Sequence, residues 1–150
     1  MRKVYFVIAL IVLCFEGNSQ IIVIPDANFK AKLLEADVSN NIAFDEMGNG
    51  TKIDVNGDNE IQVSEALLVY GLDVSNSNIF SLEGVENFLN IRHLIFANNS
   101  ISSFDTSVFS NLTLFDCSNN NLTSLDLTSN LELQSLYCNN NLISEINLPN

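Results

Sequence analysis

Leu112-Thr-Leu-Phe115-Asp-Cys117-Ser-Asn-Asn120-Asn-Leu122-Thr-Ser-Leu125 decides the fold, because its pattern returns 21 residues later as Leu133-Gln-Ser-Leu136-Tyr-Cys138-Asn-Asn-Asn141-Leu-Ile143-Ser-Glu-Ile146. Ile91, Leu94, Phe96, Ile101 and Phe104 carry it 21 residues earlier, and Val69, Leu72, Val74, Ile79 and Leu82 a further 22 before that. Apolar residues thus hold positions 1, 4, 6, 11 and 14 of four successive copies. Position 9 is Asn99, Asn120 and Asn141 in the last three copies and Ser77 in the first. Side chains alternate along a strand, so positions 4 and 6 point to one side of a short strand. A single copy cannot bury that apolar edge, whereas stacked copies form a continuous core. The position-9 amide both donates and accepts, so it can satisfy backbone groups left unpaired where the chain turns out of the strand.

The pattern resembles the leucine-rich repeat family. Leu82-Glu-Gly84-Val85-Glu86 is similar to the short-repeat class of bacterial internalins. Leu125-Asp-Leu127-Thr-Ser-Asn, with Cys at position 6 in the later copies, is similar to secreted repeat proteins of Bacteroidetes-type bacteria. The resemblance implies an α/β solenoid: a short right-handed leucine-rich repeat array with parallel β-strands and an N-terminal helical cap. With 21 or 22 residues per copy there is no room for a long convex helix, so that side is expected to be extended or 3₁₀. The array occupies residues 69–150 and breaks off midway through its fourth copy with no polar cap, which leads us to expect a longer parent sequence.

Upstream, Asp54-Val-Asn56-Gly-Asp58-Asn59-Glu60-Ile61-Gln62-Val-Ser-Glu65 resembles the twelve-residue calcium loop of EF-hands and dockerin-like modules. Ca²⁺ takes six to eight oxygen ligands. The resemblance implies side-chain ligands from Asp54, Asn56 and Asp58, the backbone carbonyl of Glu60, Gln62 acting through water, and both carboxylate oxygens of Glu65. Position 6 is Asn59 where the pattern has glycine; it needs a left-handed backbone, which Asn tolerates better than other side chains. The alternative is an Asx-rich turn without metal. If bound, the ion is structural, pinning the segment 52–68 between cap and first repeat.

Residues 1–20 read as a signal peptide: Arg2 and Lys3, an apolar run from Val4 to Phe15 too short to span a bilayer, then Gly17-Asn-Ser-Gln20. Lipid attachment at Cys14 is disfavoured by Leu13 before it. The protein is expected to be secreted or at the cell surface, with no transmembrane segment after cleavage. In the cap and linker, residues 21–51, Ile21 to Ile24 should be extended. Asp26 should N-cap a helix whose Phe29, Leu33 and Ala36 form its inner face. Gly48-Asn49-Gly50 marks a turn, and Phe44 and Met47 are expected to tuck back onto the core.

The whole chain carries 6 basic and 18 acidic residues, and beyond the first three residues only Lys30, Lys32, Lys52 and Arg92 are basic. A nucleic-acid footprint is absent, and attachment to an anionic lipid surface is disfavoured. Positions 2, 3, 5 and 7 face outward on the concave sheet. The mix of Tyr70, Asp73, Arg92, His93, Ile95, Leu114, Asp116, Gln134 and Tyr137 there suits a protein-binding surface, though an ordinary solvated sheet face is the plain alternative. By family resemblance the partner would be a protein or an extracellular or host surface ligand. Two other readings stay open: a structural spacer within a larger secreted protein, and a carbohydrate-active enzyme. For the last, Asp73 and Asp116 lie two strands apart, roughly 9.6 Å, near the spacing of an inverting carboxylate pair. Ile95 lies between them, no groove is evident, and His93 lacks a nucleophile, so no catalytic residue is assigned. Cys117 and Cys138 share position 6 of adjacent strands; parallel inward side chains favour two buried thiols over a disulfide.

Overall fold

A computed structural model describes residues 20–149; the signal-peptide segment before Gln20, including Cys14, lies outside the described residues. The chain runs α1 (Ala27–Leu34), β1 (Ala43–Phe44), α2 (Val63–Ala66), β2 (Gly71–Asp73), a 3₁₀ turn (Val85–Asn87), β3 (His93–Ile95), β4 (Leu114–Asp116), β5 (Ser124–Asp126), β6 (Ser135–Tyr137) and β7 (Glu145–Asn147). The repeat produces a five-stranded sheet in the order β1-β2-β3-β4-β6 and a second, two-stranded ladder of β5 and β7. Strands β2, β3, β4 and β6 are parallel and in repeat register, so position 4 forms one row: Leu72, Leu94, Phe115 and Leu136. The row is buried in the first three copies and half-buried in the fourth. Phe96, Phe104, Phe109 and Phe115 fill the middle of the solenoid, with ring centroids 5.0 to 5.8 Å apart. As expected, no long helix lies outside the concave sheet in the repeats; among the described residues the regular elements there are the 3₁₀ turn and the β5–β7 ladder.

The position-9 asparagines do more than close their own turn. Asn120 Nδ2 donates to the carbonyls of Cys117 and Ser118 in its own copy and of Phe96 in the preceding one. Its Oδ1 accepts from Ile101 N–H, also in the preceding copy. Asn99 repeats this toward Val74, Ser77 and Ile79, and Asn141 toward Cys117 and Leu122. Each amide therefore stitches adjacent copies together inside the core. Position 8 holds a second ladder that the apolar pattern does not reveal. Asn76, Asn98, Asn119 and Asn140 all have φ between 55° and 57°, the left-handed turn that aims position 9 inward.

At the N-terminal end Asp26 caps α1 as expected, its Oδ1 accepting from Asn28 and Phe29 N–H at 2.9 and 3.0 Å. Its other oxygen accepts from Phe80 and Ser81 N–H in the first repeat, so one carboxylate clamps cap to solenoid. Phe29, Leu33 and Ala36 are buried. Two expectations for residues 39–51 change. The segment is not a bare linker: β1 pairs antiparallel with β2, Ala43 against Leu72 and Phe44 against Gly71, extending the concave sheet. Met47 does not tuck inward; at the hairpin tip it is 88% exposed. The Asp45 turn places it there, since Asp45 Oδ1 accepts from both Met47 and Asn49 N–H. Phe44 does pack back, and a Cβ on Gly71 would stand 3.2 Å from its ring, so a side chain at position 3 of the first copy would require the ring to give way.

Replacing Asn120 by Ala should lower unfolding free energy by about 1–3 kcal/mol, because Ile101 N–H loses its partner and the carbonyls of Phe96, Cys117 and Ser118 each lose one of two donors in the interior. Urea titration followed by circular dichroism reads this, and an unchanged midpoint would refute the stitching role. Asp26 gives a pH-dependent counterpart. Burial pushes its carboxyl up, but the donors from Phe80, Phe29, Ser81 and Asn28 together hold it below its ordinary value of 3.8. A depressed folded pKa means the stabilisation is complete above the unfolded value and fades as pH falls through the folded one. Asp26→Asn should therefore cost stability at pH 6 and much less at pH 2; an equal cost at both would refute the carboxylate's role.

Candidate functional site

Two regions gather the residues singled out by the sequence: the acidic loop at residues 54–65 and the concave sheet.

The loop is tightly wound. Asp54 Oδ1 accepts from Gly57 and Asp58 N–H, and its Oδ2 from Asn59 N–H. Glu65 reaches back ten residues to Val55 and nine to Asn56, and its second oxygen caps α2 through Gln62 N–H. Asn59 takes the expected left-handed backbone, φ 63°, next to Gly57 at 74°. Gln62 is buried and bonds Asp58, as does Asn56. Asp58 titrates below the ordinary carboxylate value, chiefly because Glu60 N–H donates to it. Ile53 and Ile61 on either side are fully buried. The segment 20–22 runs alongside: Ile22 N–H donates to Ile61 O, and Val63 N–H to Gln20 O. Lys30 of α1 meets Glu60 at 2.6 Å. The loop thus sits between cap and first repeat.

The loop carries oxygen donors of the kind a hard cation takes. Asp54 and Glu65 are only 5% and 6% exposed, and among the described residues neither has a basic partner. Buried carboxylates without a countercharge are costly. Each carboxylate oxygen has more than one lone pair, so accepting an N–H does not exhaust it. Among the described residues, however, no three Asp, Glu, His or Cys side chains converge to hold an ion by themselves. Any ion would therefore depend as well on the amide oxygens of Asn56 and Gln62 and on the Glu60 carbonyl.

On the concave sheet the register brings the outward residues into rows. Gly71, His93, Leu114 and Ser135 stand side by side, as do Asp73, Ile95, Asp116 and Tyr137. Arg92 and Gln134 follow the Tyr70 row through main-chain bonds Arg92 N–H to Tyr70 O and Gln134 N–H to Thr113 O. Tyr137 is half exposed, and Ile95 and Leu114 are partly so. Asp73 and Asp116 are both spent on local turns, accepting from Ser75 and Ser118 N–H at 2.9 Å, and Ser118 Oγ adds a further bond to Asp116. Ile95 separates the two. At its N-terminal end the sheet does form a cavity, of about 380 Å³, lined by Phe44, Asp45, Glu46, Gly48, Tyr70, Gly71, Arg92 and His93. Phe44 was expected only as a core residue and Glu46 was not singled out; the turn residues Gly48-Asn49-Gly50 beside Ala43-Phe44 were the available hint of a hairpin.

Cys117 and Cys138 are free thiols, the first buried and the second half-buried. Burial, then Cys138 and Asp116, pushes the Cys117 thiol up to about 12, so it stays protonated and inert.

The fold is a leucine-rich repeat solenoid. Solved structures with the same architecture include the functional domain of InlJ from Listeria monocytogenes, whose description notes a cysteine ladder, at TM-score 0.60 and 26% identity over 81% of this chain. An internalin, InlF, from the same species matches at 0.56 and 20% identity over 85% of this chain. The CBM51-2 and INT domains of Clostridium perfringens ZmpB match at 0.50 and 16% identity over 71%. The chain spans 26% of the InlJ domain and 37% of InlF. Neither protein-family profiles nor curated protein sequences give a match to this chain. Among the described residues no helix is long and apolar enough to cross a membrane.

Proposed function

We propose that this protein is a secreted or cell-surface binding module, stabilised by calcium, that engages a protein or extracellular surface through its concave sheet. The observation that carries the reading is the division of labour within each strand. Positions 4 and 6 are consumed by the core, while the outward rows present Ile95, Leu114 and Tyr137 beside polar neighbours. Partly exposed aromatic and aliphatic side chains ringed by polar groups are the composition of protein-binding patches. Likeness to internalin solenoids supports the same class of role. An enzymatic reading has less support, since Asp73 and Asp116 are tied into turns on an open face. The spacer reading differs in one respect: it leaves the outward rows free to change.

Calcium would act through Asp54, Asn56, Asp58, the Glu60 carbonyl, Gln62 and Glu65, drawing the loop's buried carboxylates together and fixing the cap against the first repeat. Affinity should be that of extracellular modules, of the order of 10⁻⁴ to 10⁻³ M. Millimolar Ca²⁺ should then raise the melting temperature, and Asp54→Ala with Glu65→Ala should remove the gain; equal melting in calcium and in chelator would refute the site. For the sheet, the double change Ile95→Asp and Tyr137→Ala should abolish retention on extracellular-matrix or cell-surface preparations at unchanged stability. Retention that survives both changes would favour the spacer.

A further inference from the structure

The cavity at the N-terminal end of the concave sheet is built from features that each have a cause. Gly71 leaves a gap in the position-3 row, where the following copies have His93, Leu114 and Ser135. Phe44 forms one wall and Tyr70 another, and the turn at 45–48 closes the rim. Arg92 lies over the Tyr70 ring, 5.1 Å from its centroid. Its guanidinium donates no hydrogen bond to any described side chain or carbonyl, and its one ionic neighbour, Glu46, stands 3.5 Å away. Charge-assisted bonds to carboxylate are normally about 2.7–2.9 Å and often bidentate, so this fork is nearly unused. His93 adds a second nitrogen donor beside it. In a chain of net charge −12, this pairing of Arg92 with the single histidine is an exception to the acidic surface.

The two carboxylates at the rim differ. Asp45 is held by Met47 and Asn49 within its own turn, and its carboxyl lies below the ordinary value because Asn49 donates to it from backbone and side chain. Glu46 has no such tether, and its side chain is 63% exposed. It can swing into solvent without breaking a hydrogen bond.

We propose that this cavity is a selectivity pocket for a peptide segment in which an aromatic or large aliphatic side chain adjoins a carboxylate, and that Glu46 is its built-in competitor. The apolar side chain would rest on Phe44, Gly71 and Tyr70, and the carboxylate would take the Arg92 fork and displace Glu46. Stacking on Tyr70 pre-orients the guanidinium, which reduces the ordering cost of binding. The proposal rests on the concave sheet being the binding surface, and it names the chemistry that one end of that surface selects.

The test needs no natural partner. N-acetyl-phenylalanine, its neutral amide N-acetyl-phenylalaninamide and cationic phenylalaninamide are titrated into the ¹⁵N-labelled protein, and amide resonances are followed. The anion should shift Gly71, Arg92 and His93, and bind more tightly than either of the others. Arg92→Gln should weaken it about tenfold, the loss of a charge-assisted pair. Glu46→Gln should tighten it about threefold, the scale of a removed surface ion pair. Equal binding of acid and neutral amide, preference for the cation, or a Glu46→Gln change without effect would each overturn the proposal. Failure of the Ile95 and Tyr137 changes to alter surface retention would instead count against the wider reading, whatever the pocket selects.

Discussion

The structure depends on asparagine amides placed inside a dry core. A leucine-rich array with strands of three residues has little main-chain pairing per copy, and the turn out of each strand leaves carbonyls and N–H groups facing inward. Burial shields them from water, fully around Asn120 and partly around Asn99 and Asn141, and an unpaired group there costs stability. Asn99, Asn120 and Asn141 answer for their own turn and for the copy before. Leucines supply the driving force of burial, but the amides fix how far one copy may slide on the next. The 21-residue period is a consequence of both.

The N-terminal end solves a different problem. A solenoid's first copy has one bare face, and here α1, the antiparallel β1 and the loop at 54–65 cover it together. Asp26 shows how economical the joint is, since one carboxylate both starts a helix and grips the first repeat. Lys30 and Glu60 add a second tie, between helix and loop. Gly84 adds a third, because any side chain there would meet Ile24 and the Val23 carbonyl at 2.9 Å.

Legibility from sequence followed the reach of the interaction. Inward positions recur at fixed spacing, so the repeat, its strands and the Phe29–Leu33 face were readable. The loop was readable because its residues interact within twelve positions of one another, down to the left-handed backbone at Asn59. What escaped depends on distant partners. The pairing of a two-residue strand at 43–44 has no periodicity to announce it. Asn130, fully buried and donating to Thr106 and Phe109 carbonyls on the convex side, looked like any loop asparagine. Met47 was assigned by hydrophobicity alone, and the Asp45 turn overrides that. The rows at positions 3 and 5 pair in the expected register, but position 7 is buried at Ala97 and Ser118, and the cavity at the end of the rows needed the hairpin to become visible.

The antiparallel β1 also gives the array a direction. Every other neighbour in the main sheet is parallel and about one repeat away, so order passes along the chain in equal steps. In such one-dimensional assemblies each unit is held mainly by its neighbours, and folding spreads from wherever it starts. The hairpin, the cap helix and the loop give the array a fixed end, with Asp26 clamping helix to first copy. Order should therefore spread outward from the cap, copy by copy, as a zipper closes.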